Sequence, residues 1–170
     1  MTRSATPRKD FAMADVSQKP VTSRRALAAG EIQLGPEAYA ALEADQLPKG
    51  DPRPMAEIAG MQAAKLTPQL LPLCHPIALN RVALHCAMVP ERSAVRVYVL
   101  AEIAAQTGVE MEALTGLQVA LLTIWDLCKP VNAALSLEDT RLLYKSGGKQ
   151  GEWVHPQGLD ATAQSILGLQ

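Results

Sequence analysis

Aromatic residues and cysteines are scarce in this sequence, and both shortages exclude classes of function. Aromatic side chains make up 4% of the 170 residues, and Tyr98 is the one aromatic residue on the central predicted strands. RNA-binding sheets, in contrast, stack bases on aromatic platforms. Cys74, Cys86 and Cys128 are odd in number and too far apart for zinc-knuckle spacing. We therefore expect reduced thiols, no metal site and no nucleic-acid partner.

The sequence also lacks a strong net charge and long apolar runs. Its formal charge is −1, which argues against bulk attraction to nucleic acid or an anionic membrane but allows a local anion site. No apolar run approaches the roughly 18 residues that span a bilayer. Residues 1–20 lack the apolar block of a signal peptide. We expect a cytoplasmic protein without a membrane partner.

The length and apolar content fit one folded domain with a sizeable core. Residues 1–14 mix polar, charged and proline residues with little periodicity, which predicts a flexible N-terminal arm. Residues 15–157 hold the periodic segments and are interpreted as a single catalytic domain. Residues 158–170 carry little signal and are interpreted as a C-terminal tail.

Hydrophobic periodicity predicts four strands and two main helices. The strands are expected at 21–34, 79–89, 95–103 and 135–144, the main helices at 54–66 and 107–129, and a short helix at 37–44. This order is typical of an α+β protein, a ferredoxin-like βαββαβ sandwich with two main helices on one face of an antiparallel sheet. The other face needs a cover, and we expect homo-oligomerisation to supply part of it.

The helix predicted at 107–129 carries charges beside apolar surface. Its second face combines Glu112, Asp126 and Lys129 with Val119 and Leu122. Charges next to a covered apolar surface are costly unless they are paired or used, so Asp126 and Lys129 are candidates for chemistry. The alternative is an ordinary exposed ion pair three residues apart, which is common and weak. Spacing alone does not decide between the two.

Two other segments are candidates for a site. In Pro72–Pro76, His75 precedes a proline and is held in extended backbone, which suits either a positioned imidazole or a rigid connector. Lys145–Lys149 partly resembles a phosphate loop, but Leu143 and Gln150 break the Walker pattern. Its glycines could still let backbone amides approach an anion, and the alternative is a flexible exposed turn. Dinucleotide, zinc-protease and nucleophile-elbow motifs are missing, which leaves acid/base chemistry on a phosphorylated small molecule.

Four segments in this order, Pro72–Pro76, Thr107–Thr115, Leu122–Lys129 and Lys145–Lys149, resemble the motifs of the cyclic pyranopterin monophosphate synthase family, molybdenum cofactor biosynthesis protein C. The similarity runs from about residue 15 to residue 153. It implies a lyase that converts 3′,8-cyclo-7,8-dihydroguanosine triphosphate to cyclic pyranopterin monophosphate and pyrophosphate. It also implies a ferredoxin-like subunit, usually in a homohexamer built as a trimer of dimers.

The resemblance also implies roles for individual residues. The catalytic residues would be Asp126, Lys129 and Lys49, and the substrate contacts would be Arg24, Leu73, Cys74, His75, Glu110, Met111, Glu112 and Lys145. We expect Lys129 to donate or accept a proton and Asp126 to adjust the proton affinity of Lys129. The resemblance implies no resident cofactor and leaves open whether Mg²⁺ accompanies the triphosphate.

Three residues depart from the family pattern. Gln106 and Gln150 replace a lysine and a serine that are common there, and Pro52 replaces a common valine. These departures leave open a paralogue with reduced activity. A non-catalytic ferredoxin-like domain that binds a small molecule for regulation is the other alternative.

A continuous helix would hold Glu112 and Asp126 roughly 20 Å apart at 1.5 Å per residue. One subunit can hardly bring both side chains to one small substrate. We therefore predict that each active site is shared between subunits, with Asp126 and Lys129 from one chain facing the 110–112 segment of a neighbour.

Overall fold

The strands form one five-stranded sheet in the computed structural model, which describes residues 11–169. They are β1 (Thr22–Gln33), β2 (Arg81–Val89), β3 (Ala94–Ala105), β4 (Ser136–Ser146) and β5 (Trp153–Val154), in the order β2-β3-β1-β4-β5. All neighbouring pairs are antiparallel. The four predicted strands are confirmed, and β5 was not predicted. Most of the predicted N-terminal arm, residues 1–10, lies outside the described residues.

The helices confirm the predicted βαββαβ order. They are α1 (Gly35–Glu43), α2 (Pro52–Lys65), α3 (Thr67–Leu70), α4 (Glu110–Cys128) and α5 (Ala161–Leu167). A short 3-10 turn, Pro90–Arg92, joins β2 to β3 as a hairpin, and Ser93 closes it in the left-handed region at φ 47°. The fold class is therefore the predicted ferredoxin-like α+β sandwich.

The main core lies between one sheet face and the pair α2 and α4. Alternate residues of β1 and β3 point toward α4, since side chains alternate across a strand. The buried members include Ala28, Ile32, Val97, Val99, Leu117, Leu121 and Ile124. α4 is thereby fixed over the centre of the sheet.

α2 packs closely against α4 as well as against β2. A Cβ atom on Gly60 would lie 2.8 Å from the carbonyl oxygen of Gly116 and 2.4 Å from Leu84 Cδ2. The small residue at this position allows α2 to approach the backbone of α4. α2 and α4 thus form one closely packed layer over the sheet.

α5 covers part of the opposite sheet face. Ala163 and Leu167 pack against Leu27, Leu100 and Leu143. α5 lies in the segment that was interpreted as a C-terminal tail, so it was not predicted, and it supplies some of the cover that we expected from a partner chain. The predicted domain boundaries stay a prediction.

α4 is long and apolar enough, by length and composition alone, to cross a membrane. This differs from the expectation that no apolar stretch comes near that length. Half of the 18-residue apolar stretch of this helix is buried inside the protein. The core helix of a soluble protein can have the same length and composition, because it is buried in the same way. On its second face, however, Leu122 is 54% exposed, so the cover predicted there does not come from this chain.

Candidate active site

The predicted site residues lie in two groups at opposite ends of α4. Near its C-terminal end are Lys49, Asp126 and Lys129. Near its N-terminal end are Arg24, Leu73, Cys74, His75, Glu110, Met111, Glu112 and Lys145. Fourteen residues of continuous helix separate Glu112 from Asp126, which corresponds to about 21 Å. The structure therefore brings each group together but does not bring the two groups together within one chain.

The C-terminal group is built by the loop between α1 and α2. Asp51 caps α2 by accepting a hydrogen bond from the backbone N–H of Arg53 at 2.9 Å, and Pro52 occupies the first turn, where its fixed φ suits a helix. Pro52 is thus compatible with the loop although the family often has valine there. The loop places Lys49 Nζ 2.9 Å from Asp126 Oδ2 and 3.1 Å from the Asp126 carbonyl oxygen.

Asp126 is clamped between two ammonium groups. Lys129 Nζ lies 2.7 Å from Oδ1, opposite the contact with Lys49. Hydrogen bonds from Lys129 and then from Lys49 lower the pKa of Asp126 to about 2. The carboxylate is therefore ionised at neutral pH, accepts hydrogen bonds and does not donate a proton.

This cluster is open to solvent in the single chain. The side chain of Asp126 is 49% exposed and that of Lys129 is 53% exposed, as the simple ion-pair alternative predicts. Leu122 and Trp125 lie beside them and line the same shallow depression. Charged groups next to exposed apolar side chains suit a surface that a second molecule covers.

The N-terminal group contains a cationic cleft of about 430 Å³. Five cationic residues and one acidic residue, Glu110, line it; the cations are Lys19, Arg24, Arg25, Lys145 and Lys149, of which Arg25 directs its guanidinium to Glu102 and the Leu167 carbonyl oxygen. Lys145 Nζ donates to Glu110 Oε1 at 3.2 Å. The excess of positive charge suits a polyanion, because anions gain charge-assisted hydrogen bonds from such groups.

The predicted glycine loop forms one wall of this cleft. Gly147 and Gly148 have φ values of 98° and 73°, which side chains with a Cβ rarely adopt. A Cβ atom on Gly148 would lie 2.4 Å from Arg24 Nη1. Glycine at this position lets the guanidinium of Arg24 approach the loop backbone.

A second pocket of about 230 Å³ adjoins the cationic cleft, and both are lined by Gly108 and Glu110. It contains the predicted contacts Leu73, Cys74, His75, Met111 and Glu112. The two pockets are therefore neighbours at the N-terminal end of α4.

Titratable groups lie close together in this second pocket. Glu112 is only 3% exposed, and burial, followed by the charge of Glu110, raises its pKa, while His75 opposes the shift. His75 Nε2 lies 2.8 Å from the carbonyl oxygen of Ala14, so Nε2 carries the proton in that contact. Burial also raises the pKa of the Cys74 thiol. A carboxyl group with a raised pKa beside an imidazole can take part in proton transfer.

Lys19 lines the cleft although it was not among the predicted site residues, and no role was predicted for Gln106. Gln106 Nε2 donates to the Lys19 carbonyl oxygen at 2.9 Å across 87 positions of sequence. Such a contact has no signature in local spacing. The only sequence signal was that Gln106 departs from the family pattern.

Comparison with known proteins agrees with the resemblance. The MoaC family model matches residues 13–148. The chain is 44% identical over 142 residues to the human protein named molybdenum cofactor biosynthesis protein 1, a match that covers 84% of this chain and 22% of the human protein. It is 45% identical over 141 residues to the cyclic pyranopterin monophosphate synthase of Dinoroseobacter shibae, which covers 83% of this chain and 89% of that protein. The chain spans about a fifth of the length of the human relative. It belongs to the MoaC family.

Proposed function

We propose that this protein is a cyclic pyranopterin monophosphate synthase of molybdenum cofactor biosynthesis, a phosphorus-oxygen lyase. Its substrate would be 3′,8-cyclo-7,8-dihydroguanosine triphosphate, and its products would be cyclic pyranopterin monophosphate and pyrophosphate. The observation that carries the proposal is the cationic cleft next to a pocket with a buried carboxyl group and an imidazole. A nucleotide-derived triphosphate needs both kinds of surface at once.

The two pockets would divide the substrate between them. The triphosphate would lie in the cationic cleft, where Arg24 and Lys145 neutralise the phosphates and the departing pyrophosphate. The fused-ring half would lie in the adjoining pocket, near His75 and Glu112. Closure of the cyclic phosphate then needs an alkoxide oxygen to attack the α-phosphorus while pyrophosphate leaves in line.

Opening of the imidazole ring requires proton transfers, and Lys129 would perform one of them. Asp126 is held as a carboxylate by Lys129 and Lys49, so it would orient the Lys129 ammonium rather than exchange a proton itself. Lys49, on its loop, would move from Asp126 to the substrate when the site is filled.

The distance between the two groups supports a shared active site. Because Glu112 and Asp126 lie about 21 Å apart on one straight helix, we propose that Lys49, Asp126 and Lys129 of one subunit complete the pockets of a neighbour. A homohexamer arranged as a trimer of dimers would contain six such sites. The exposed Leu122 beside Asp126 would then be covered at the subunit contact.

We further propose a cytoplasmic enzyme without a resident metal. Among residues 11–169 there is no cluster of three or more His, Cys, Asp or Glu side chains that could hold an ion. Any Mg²⁺ would accompany the substrate, bound to its triphosphate oxygens.

The function is tested by supplying purified protein with the cyclised nucleotide and following pyrophosphate. We expect release by the natural protein and a loss of about 10²–10⁴-fold in kcat for Lys129→Ala, the usual size of a general acid/base contribution. Lys65→Ala, which changes an exposed lysine at the end of α2, is the matched control and keeps full turnover. Full turnover by a folded Lys129→Ala variant would contradict the proposed role of this lysine.

A further inference from the structure

The side chain of Gln106 joins the exposed turn that ends at Lys19 to the rest of the protein. Within the turn, the Lys19 N–H donates to the Val16 carbonyl oxygen at 2.9 Å. From outside it, Gln106 Nε2 donates to the carbonyl oxygens of Lys19 at 2.9 Å and Ser17 at 3.3 Å. The carboxamide of Gln106 thus fixes two backbone groups of the turn.

The main chain of Gln106 also orients a second cation of the cleft. Its carbonyl oxygen accepts a hydrogen bond from Arg24 Nη2 at 3.2 Å, and the neighbouring Ala105 carbonyl oxygen accepts one from Arg24 Nε at 3.1 Å. Lys19 and Arg24 both line the cationic cleft. Gln106 therefore connects two cationic side chains that would face the same polyanion.

Two cations of the cleft are held in ion pairs with carboxylates, whereas Lys19 lines the cleft from an exposed turn. Lys145 is paired with Glu110 at 3.2 Å, and Arg25 is paired with Glu102 at 2.8 Å. Lys19 lies on an exposed turn and lines the cleft beside Pro20. A charge held there reaches a bound polyanion without first breaking either of those two ion pairs.

We propose that Lys19 is a phosphate-binding residue of this site and that Gln106 is its positioning residue. The proposal rests on the proposed function, in which the cleft holds the substrate triphosphate. If the turn were not anchored, binding would have to order it, and that ordering would reduce affinity. Replacement of the family's common lysine by glutamine keeps an N–H donor toward the turn while removing a charge next to Arg24.

The test measures binding of inorganic tripolyphosphate by calorimetry and steady-state turnover of the cyclised nucleotide. Lys19→Met and Gln106→Met should each weaken tripolyphosphate binding and raise KM by about fivefold, the size expected of one solvent-exposed ammonium–phosphate contact. The value of kcat should stay within about twofold, since neither side chain meets the reacting atoms. The matched control is Lys65→Met, which also removes an exposed lysine and should change neither value.

A double variant separates positioning from a direct effect. If Gln106 acts through Lys19, the variant with both changes binds tripolyphosphate no more weakly than Lys19→Met alone. Gln106→Lys, which restores a donor to the turn carbonyls, should recover the lost affinity. Fully additive losses, or no rescue by Gln106→Lys, would overturn the role of Gln106. An unchanged affinity in folded Lys19→Met would overturn the role of Lys19.

The calorimetric arm keeps this inference separate from the proposed function. If the protein releases no pyrophosphate from the nucleotide but Lys19→Met still weakens tripolyphosphate binding about fivefold, the proposed function fails and the phosphate site stands. If turnover is normal and neither Lys19→Met nor Gln106→Met changes the affinity for tripolyphosphate, the proposed function stands and the proposed roles of Lys19 and Gln106 fail.

Discussion

Mixing two inactive variants tests whether the active site is shared between subunits. Glu112→Gln alters the N-terminal end of α4, and Lys129→Ala alters the C-terminal end. Each variant alone should be inactive, because every site in a homo-oligomer would carry the same damage. The mixture contains dimers with one chain of each kind. In such a dimer, one of the two sites combines the unchanged N-terminal end of α4 from one chain with the unchanged C-terminal end of α4 from the other chain.

The size of the recovery follows from the geometry. About 21 Å of continuous helix separates the two positions, so each site would draw one end from each chain. Random pairing at equal concentrations makes about half of the dimers mixed, and half of their sites intact, so about a quarter of the natural activity should return. Glu112→Gln is nearly isosteric and removes only the charge of a buried carboxyl group, so it should leave folding intact.

The assay measures pyrophosphate release after the two variants are unfolded together and refolded, or co-expressed with different tags. The matched control mixes Lys129→Ala with Asp126→Asn, which damage the same end of α4. Mixed dimers of that pair have no intact site and should stay inactive. Inactive mixtures of the first pair, in oligomers proved to be mixed by mass spectrometry, would refute the shared site.

Two further predictions concern stability. Hydrogen bonds from Lys129 and then from Lys49 lower the pKa of Asp126 from 3.8 to about 2. Its ion pairing therefore stabilises the fold above about pH 4, and this stabilisation is lost as the pH falls toward 2. In urea unfolding between pH 2 and pH 5, the unfolding free energy of Asp126→Asn should depend less steeply on pH than that of the natural protein. Gly60→Val should lower the unfolding free energy by about 2–3 kcal/mol, because its Cβ would lie 2.8 Å from the Gly116 carbonyl oxygen. The control Gln62→Val, on the exposed face of α2, measures only the cost of placing valine in a helix.

The order of elements could be predicted because each has a strong local signal. The alternation in β2 and β3 and the apolar face of α4 are visible in short windows. α5 could not be predicted in the same way, since only Ala163 and Leu167 of its seven residues are buried. Its position depends on tertiary contacts, among them the hydrogen bond from Tyr98 Oη to Asp160 Oδ2 at 2.8 Å.

The grouping of the site residues was predictable from helix geometry, but their environments were not. The rise of a helix sets the distance between Glu112 and Asp126. Nothing in the spacing indicates that Glu112 is 3% exposed while the side chain of Asp126 is 49% exposed. The anchoring of Lys19 by Gln106 joins segments far apart in sequence, so it becomes visible only once the chain is folded.

The most direct measurement of the central claim is the product balance on the cyclised nucleotide. We expect each molecule of substrate consumed to yield one pyrophosphate and one cyclic pyranopterin monophosphate, identified by mass, and Lys129→Ala to lower the rates of formation of both products to the same extent. Tight binding of the nucleotide by well-folded oligomers, without release of pyrophosphate, would contradict the account and favour a regulatory binding protein.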